Sequence, residues 1–186
     1  MTIGKKGQLW IETVIYMLIG LALMALVLTF VVPKINEEKD RILVEQSIAS
    51  LNVLDDKINE VISTGKDNRR TVEFSISKGE LEINPSTNEI TFTLNELTKS
   101  YSEPDVEIKE GRIAINTTQG RKTSSVNLIL RYGQGIILKF DGASKSKKFN
   151  PSAIPYQFYI KNDGTTDIFQ ESQTYKAHLI DITERS

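Results

Sequence analysis

Residues 5–33 read KKGQLWIETVIYMLIGLALMALVLTFVVP. Two lysines and a glycine precede a long apolar run whose only charge is Glu12, and residues 13–32 carry no charge at all. As an α-helix rising ~1.5 Å per residue, that uncharged stretch matches the ~30 Å hydrocarbon core of a bilayer. It therefore predicts a membrane-spanning helix. A cleaved secretory signal would have a shorter apolar core and small residues at its far end, where this chain has Phe30, Val31, Val32 and Pro33. Basic residues flank both sides, Lys5 and Lys6 before the run and Lys34, Lys39 and Arg41 after it, so their count leaves orientation open. The very short segment before the run and the β-patterned body after it favour an N-terminus inside and a C-terminus outside.

A plain anchor leaves Glu12 unexplained. A carboxylate costs ~2.5–3.5 kcal/mol at the centre of a membrane helix and less near its edge, and such groups usually mark a function. The residues Lys5-Lys6-Gly7-Gln8-Leu9-Trp10-Ile11-Glu12 resemble the class III signal sequence of type IV pilin-like proteins, closest to the archaeal branch. The resemblance implies cleavage by a prepilin peptidase between Gly7 and Gln8, on the cytoplasmic side, with the apolar segment kept on the mature chain. Glu12 then becomes the fifth mature residue, where the family places its characteristic glutamate. Its implied role is an assembly contact: paired with the new amine of a neighbouring subunit, the carboxylate loses much of its desolvation penalty. The implied partners are the peptidase, copies of the chain itself or other pilin-like subunits, and the membrane. The implied location is the cell membrane, crossed once with the N-terminus cytoplasmic, and then a cell-surface filament.

The chain departs from the family in two places. Trp10 stands where many archaeal members carry a small residue, and Pro33 closes the run whereas bacterial relatives often place a proline inside it. Gly20, Ala22 and Ala25 allow close approach of like helices. The other reading of the same residues is an uncleaved signal anchor holding a β binding domain at the cell surface.

Beyond Pro33 the helical period continues. Ile35, Val44, Ile48, Leu51, Leu54, Ile58, Val61 and Ile62 recur at three- and four-residue steps, with Glu45, Asn52, Asp56, Asn59 and Glu60 on other faces. That is an amphipathic helix. Pro33 either starts it or kinks one continuous helix. The apolar stripe needs a partner, which for Leu51 to Ile62 we expect to be the chain's own β domain rather than a coiled coil, because the heptad pattern is only partial.

Polar residues 63–70 end the helical period, and alternation takes over. Val72, Phe74 and Ile76 face Leu81 and Ile83 across a Lys78-Gly79 turn, followed by Ile90, Phe92 and Leu94. Val106 and Ile108 face Ile113 and Ile115 across Glu110-Gly111. The two hairpins share an Ile-x-x-Gly-x-apolar-x-Ile pattern, which ordinary hairpin turns produce without an internal repeat. Residues 126–132 and 135–140 are more continuously apolar and are expected to pair at the centre of the sheet, covered on both faces. Final strands are expected at residues 156–161, 167–171 and 175–182, with Asn162-Asp163-Gly164 turning the first pair. The fold class is α+β: a long N-terminal helix followed by a mostly antiparallel β-rich head. Its expected parts are a leader at residues 1–7, a membrane or filament-core helix at 8–33, a helical stalk at 34–64 and the head at 65–186.

Composition points away from catalysis. The 186 residues carry a formal net charge of −1, which gives no bulk attraction for nucleic acid. There is no cysteine, hence no disulfide, thiolate metal site or cysteine nucleophile. The single histidine, His178, has no recognisable base or ligand partners, and such a residue on a strand is expected to face solvent or make a hydrogen bond. Gly133-Gln134-Gly135 lacks the rest of a phosphate-binding loop. We therefore expect no enzyme, no cofactor and no metal. Asn116-Thr117-Thr118 matches an N-glycosylation acceptor, whereas Asn84-Pro85-Ser86 and Asn150-Pro151-Ser152 are excluded by their prolines. Lys145, Lys147 and Lys148 are expected in a solvated polar loop.

Overall fold

The computed structural model describes residues 5–170 and 173–185. One helix, α1 (Lys5–Thr64), runs through Pro33, so the proline lies inside a continuous helix instead of starting a second one. Ten strands follow among the described residues: β1 (Arg69–Phe74), β2 (Glu80–Asn84), β3 (Glu89–Leu97), β4 (Glu107–Glu110), β5 (Ile113–Gln119), β6 (Ser124–Arg131), β7 (Ile136–Phe140), β8 (Lys147–Phe149), β9 (Tyr156–Gln170) and β10 (Gln173–Glu184). The architecture is the α+β one expected. The chain divides into two compact units, Met1–Lys39 and Asp40–Ser186.

Within the second unit the strands form a four-stranded sheet, order β1-β9-β10-β7, and a six-stranded sheet, order β4-β5-β6-β3-β2-β8. Among the described residues every strand pairing is antiparallel except β7 with β10. One hydrophobic core joins both sheets to the helix, whose Val44, Ile48, Leu51, Leu54, Ile58 and Val61 are buried against it. From Val44 to Val61 the amphipathic stripe is thus covered by the β domain, whereas Ile35 is exposed.

The helix stops where its backbone finds new partners. Gly65 takes a left-handed φ of 95° and its N–H donates to the Ile62 carbonyl at 3.3 Å, a glycine ending. Asn68 Nδ2 donates to the Thr64 carbonyl at 3.0 Å, and buried Asn162 Nδ2 to the Val61 carbonyl at 3.1 Å. The last turn is therefore capped from the neighbouring sheet.

Four strand expectations need correction. The first expected hairpin does not form: β1 pairs with β9 in one sheet, while β2 pairs with β3 and β8 in the other. Gly79 (φ 94°), on the crossover from β1 to β2, runs close against β3, since a Cβ there would lie 2.6 Å from the Thr93 carbonyl oxygen. The second hairpin does form, with Ile108 opposite Ile115 and Glu110 opposite Ile113. The β6 and β7 segments are not a pair. β6 lies inside the six-stranded sheet, with Val126, Leu128 and Leu130 buried and alternate residues half-buried, and β7 is an edge of the other sheet. A side chain makes that separation: Asn88 Nδ2 donates to the Tyr132 and Ile136 carbonyls (2.7 and 2.6 Å), while its Oδ1 accepts the Leu138 N–H at 2.8 Å. Asn88 thus imitates a neighbouring strand along the β7 edge.

Asn162-Asp163-Gly164 is not a turn either. β9 continues through it, and the register against β10 shifts between Leu179 and Ile180, so the extra residue is absorbed as a bulge at Gly164 (φ 106°). Residues 147–149 of the expected lysine loop form β8, paired with β2.

Candidate functional site

The first unit holds the expected processing residues Gly7 and Gln8 and the expected assembly contact Glu12. Its side chains from Trp10 to Val32 have no cover: Trp10 is 77% exposed, and Leu18, Leu21, Leu23, Leu26, Leu28 and Phe30 are all exposed. The segment is long and apolar enough to cross a membrane. Burying a side chain of this size is worth roughly 1.5–3 kcal/mol. Left in water, such a helix is unstable against any apolar surrounding.

Glu12 is the one carboxylate on this surface. It is exposed, and the Tyr16 hydroxyl one turn on donates to its Oε1 at 3.5 Å, the outer limit for such a bond. Thr29 Oγ1 is turned inward, donating to the Ala25 carbonyl at 2.8 Å, so its polarity is hidden within the helix. Residues 1–4 of the expected leader lie outside the described residues. Gly7 and Gln8 belong to the α1 backbone, and the side chain of Gln8 also lies outside the described set.

Asn116 sits in the middle of β5, with Glu107 of β4 on one side and Asn127 of β6 on the other. It is half-buried, and its Nδ2 donates to Glu107 Oε2 at 3.4 Å. The hydrogen bonds of the Arg131 guanidinium hold the Glu107 carboxyl below the usual range. Thr118, the hydroxyl residue of the acceptor pattern, is exposed, whereas Thr117 is buried with its hydroxyl 2.6 Å from that of Ser102.

His178 departs from expectation. It is half-buried on β10, and among the described residues its Nδ1 is enclosed without a hydrogen-bond partner. Lys148 is held by Glu80 at 2.7 Å and by Glu82 at 3.6 Å, while Lys147 lies 5.9 Å from the centre of the Phe149 ring. The two carboxylates cancel much of the basic patch. Among the described residues no group of three or more His, Asp or Glu side chains is placed to hold a metal ion.

Two well-partnered acids on α1, Asp55 and Asp40, carry no motif in the sequence. Asp55, on the buried face of α1, accepts from the Tyr132 hydroxyl at 2.9 Å and from Asn59 Nδ2 at 3.1 Å, and pairs with Arg112 at 3.2 Å. The guanidinium also lies 5.2 Å from the Tyr132 ring centre. Burial, then the charge and hydrogen bond of Asp55, push the Tyr132 hydroxyl well above the usual tyrosine range, with Arg112 opposing. This cluster ties the helix to the six-stranded sheet. Its one signal in sequence is an acid inside an apolar stripe. Asp40 plays a similar part further up the helix, where its Oδ2 accepts the Thr98 N–H at 2.6 Å. No protein-family model, curated protein or solved structure matches this chain.

Proposed function

We propose that the chain is a structural subunit of a type IV pilus-like surface filament, made as a membrane precursor and cut after Gly7 by a prepilin peptidase. The observation that carries this reading is the uncovered apolar helix with Glu12 as its single charge, joined to a separately cored β head. A surface of that kind suits a bilayer first and a bundle of like helices afterwards, since both are apolar surroundings and transfer between them changes little. Cleavage would leave Gln8 as the new N-terminus with its free amine. Glu12 of an adjacent copy would then pair with that amine inside the apolar bundle, where an unpaired carboxylate is costly. The work is mechanical and needs no catalysis.

Replacing Glu12 with Gln tests the contact. The expected result is loss of filament incorporation with membrane insertion unchanged, read by shearing surface filaments and comparing them with the membrane fraction. Assembly at the unsubstituted level would remove the electrostatic role. A chain that stays anchored as a non-polymerising surface protein would show neither filaments nor any dependence on Glu12.

A further inference from the structure

The head carries a projecting strand pair and a cleft. β1 pairs with β9 only as far as Lys161, and β7 pairs with β10 only from His178 to Ile182, while β9 and β10 remain paired to Gln170 and Gln173. The pair therefore leaves its sheet as a two-stranded ribbon with both edges unpaired. Phe169 stands on this ribbon 77% exposed, and exposed Asp167 shares its face. The second feature is a cleft of about 320 Å³ between α1 and the β1–β2 crossover. Ser47, Ser50, Ser75, Ser77 and Lys78 line it, with Phe74 among its apolar lining.

The two lie at opposite ends of the head. Phe74, at the cleft, is in register with Tyr156, and Arg69, at the other end of β1, with Lys161. β9 thus runs away from the cleft toward the end of α1, where Asn162 caps the Val61 carbonyl. Beyond that point residues 163–170 carry the ribbon on by about 26 Å at ~3.3 Å per residue. A projection at one end and a recess at the other make a head-to-tail contact, the kind that propagates into a filament and does not close into a dimer.

We propose that the ribbon of one head, led by Phe169, seats in this cleft of the next copy. This deepens the filament reading and rests on it. An exposed aromatic entering a recess is the usual form of an interface anchor. The polar groups match as well: Asp167 on the ribbon meets Lys78, whose ammonium is already oriented by Asp40 at 3.8 Å and by the Glu96 carbonyl at 3.1 Å.

The absence of cysteine makes the test clean. Full-length chains carrying Phe169→Cys and Ser75→Cys are co-expressed in the native host and oxidised mildly in intact cells. The expected result is a cross-linked dimer from the mixed pair, absent from either variant alone, and a ladder of higher species from the double variant. Three results would overturn the proposal: Phe169→Cys cross-linking to itself as well as to Ser75→Cys, capture of a different protein, or no cross-link although filaments form. Cross-linking between chains that still carry Lys5 to Gly7 would support the head contact while sinking the processed-filament reading, so the two fail separately.

Discussion

Glu12 and Asp55 are carboxylates on one helix, and they live in opposite circumstances. Asp55 is 5% exposed and has three side-chain partners from its own chain: Asn59 on α1, Tyr132 just after β6 and Arg112 just before β5. Glu12 is exposed, with a long contact to Tyr16. The apolar residues around them differ in the same way: Leu51, Leu54 and Ile58 are fully buried in the head, while Leu21, Leu23 and Leu26 are exposed. A helix of continuous backbone thus changes its requirement along its length. Where the apolar residues form a stripe, the chain's own β domain suffices; where they surround the helix on all sides, only a bilayer or other helices can cover it.

That contrast predicts the largest effect in the stripe. Leu54→Ala should cost the head roughly 2–5 kcal/mol, through lost transfer energy and the cavity left behind. Leu23→Ala should leave the unfolding of the head within about 0.5 kcal/mol of the parent. Denaturant unfolding in detergent, followed by a probe confined to the β domain, measures both; equal costs would mean that the two parts of the helix are not distinct.

Asp55→Ala should come next, at roughly 2–3 kcal/mol, since it strands the Tyr132 hydroxyl and removes the partner of Arg112. The Arg112 side chain is 45% exposed and can turn to water, which keeps the loss below that of a fully enclosed pair. Glu12→Gln, by comparison, should leave head stability unchanged. A smaller effect follows from Tyr132, whose hydroxyl is held protonated in the fold. Above about pH 10 the unfolded tyrosine releases its proton while the folded one keeps it, so the unfolded state binds fewer protons and stability falls as pH rises. Tyr132→Phe should flatten that alkaline decline, as measured by unfolding at pH 9, 10 and 11. An unchanged slope would place the alkaline sensitivity elsewhere.

Much of this was legible in sequence, for reasons that particular residues make plain. The 3.6-residue period of residues 44–61 and the two-residue alternation of the strands both report which side chains face the core, and both survive in the fold. Strand partnership was less legible, because alternation does not encode a neighbour. Gly79 and Gly111 occupy the same local pattern, yet one serves a crossing between sheets and the other a hairpin; the difference lies in Thr93, fourteen residues away from Gly79. Likewise Asn162-Asp163-Gly164 reads as a turn but is spanned by long β9, held by its pairing with β10. Asn88 and Asp55 act through contacts with Ile136 and Tyr132, residues far along the chain, and local sequence carries no trace of those.

The most direct test of the whole account is the mass of the mature N-terminal peptide, from protein recovered in native membranes and in sheared surface filaments. A chain beginning at Gln8 is the expected result, and would leave the uncovered helix with a new amine four residues ahead of Glu12. A chain still carrying Lys5, Lys6 and Gly7 would contradict it, and residues 10–32 would then be a permanent anchor.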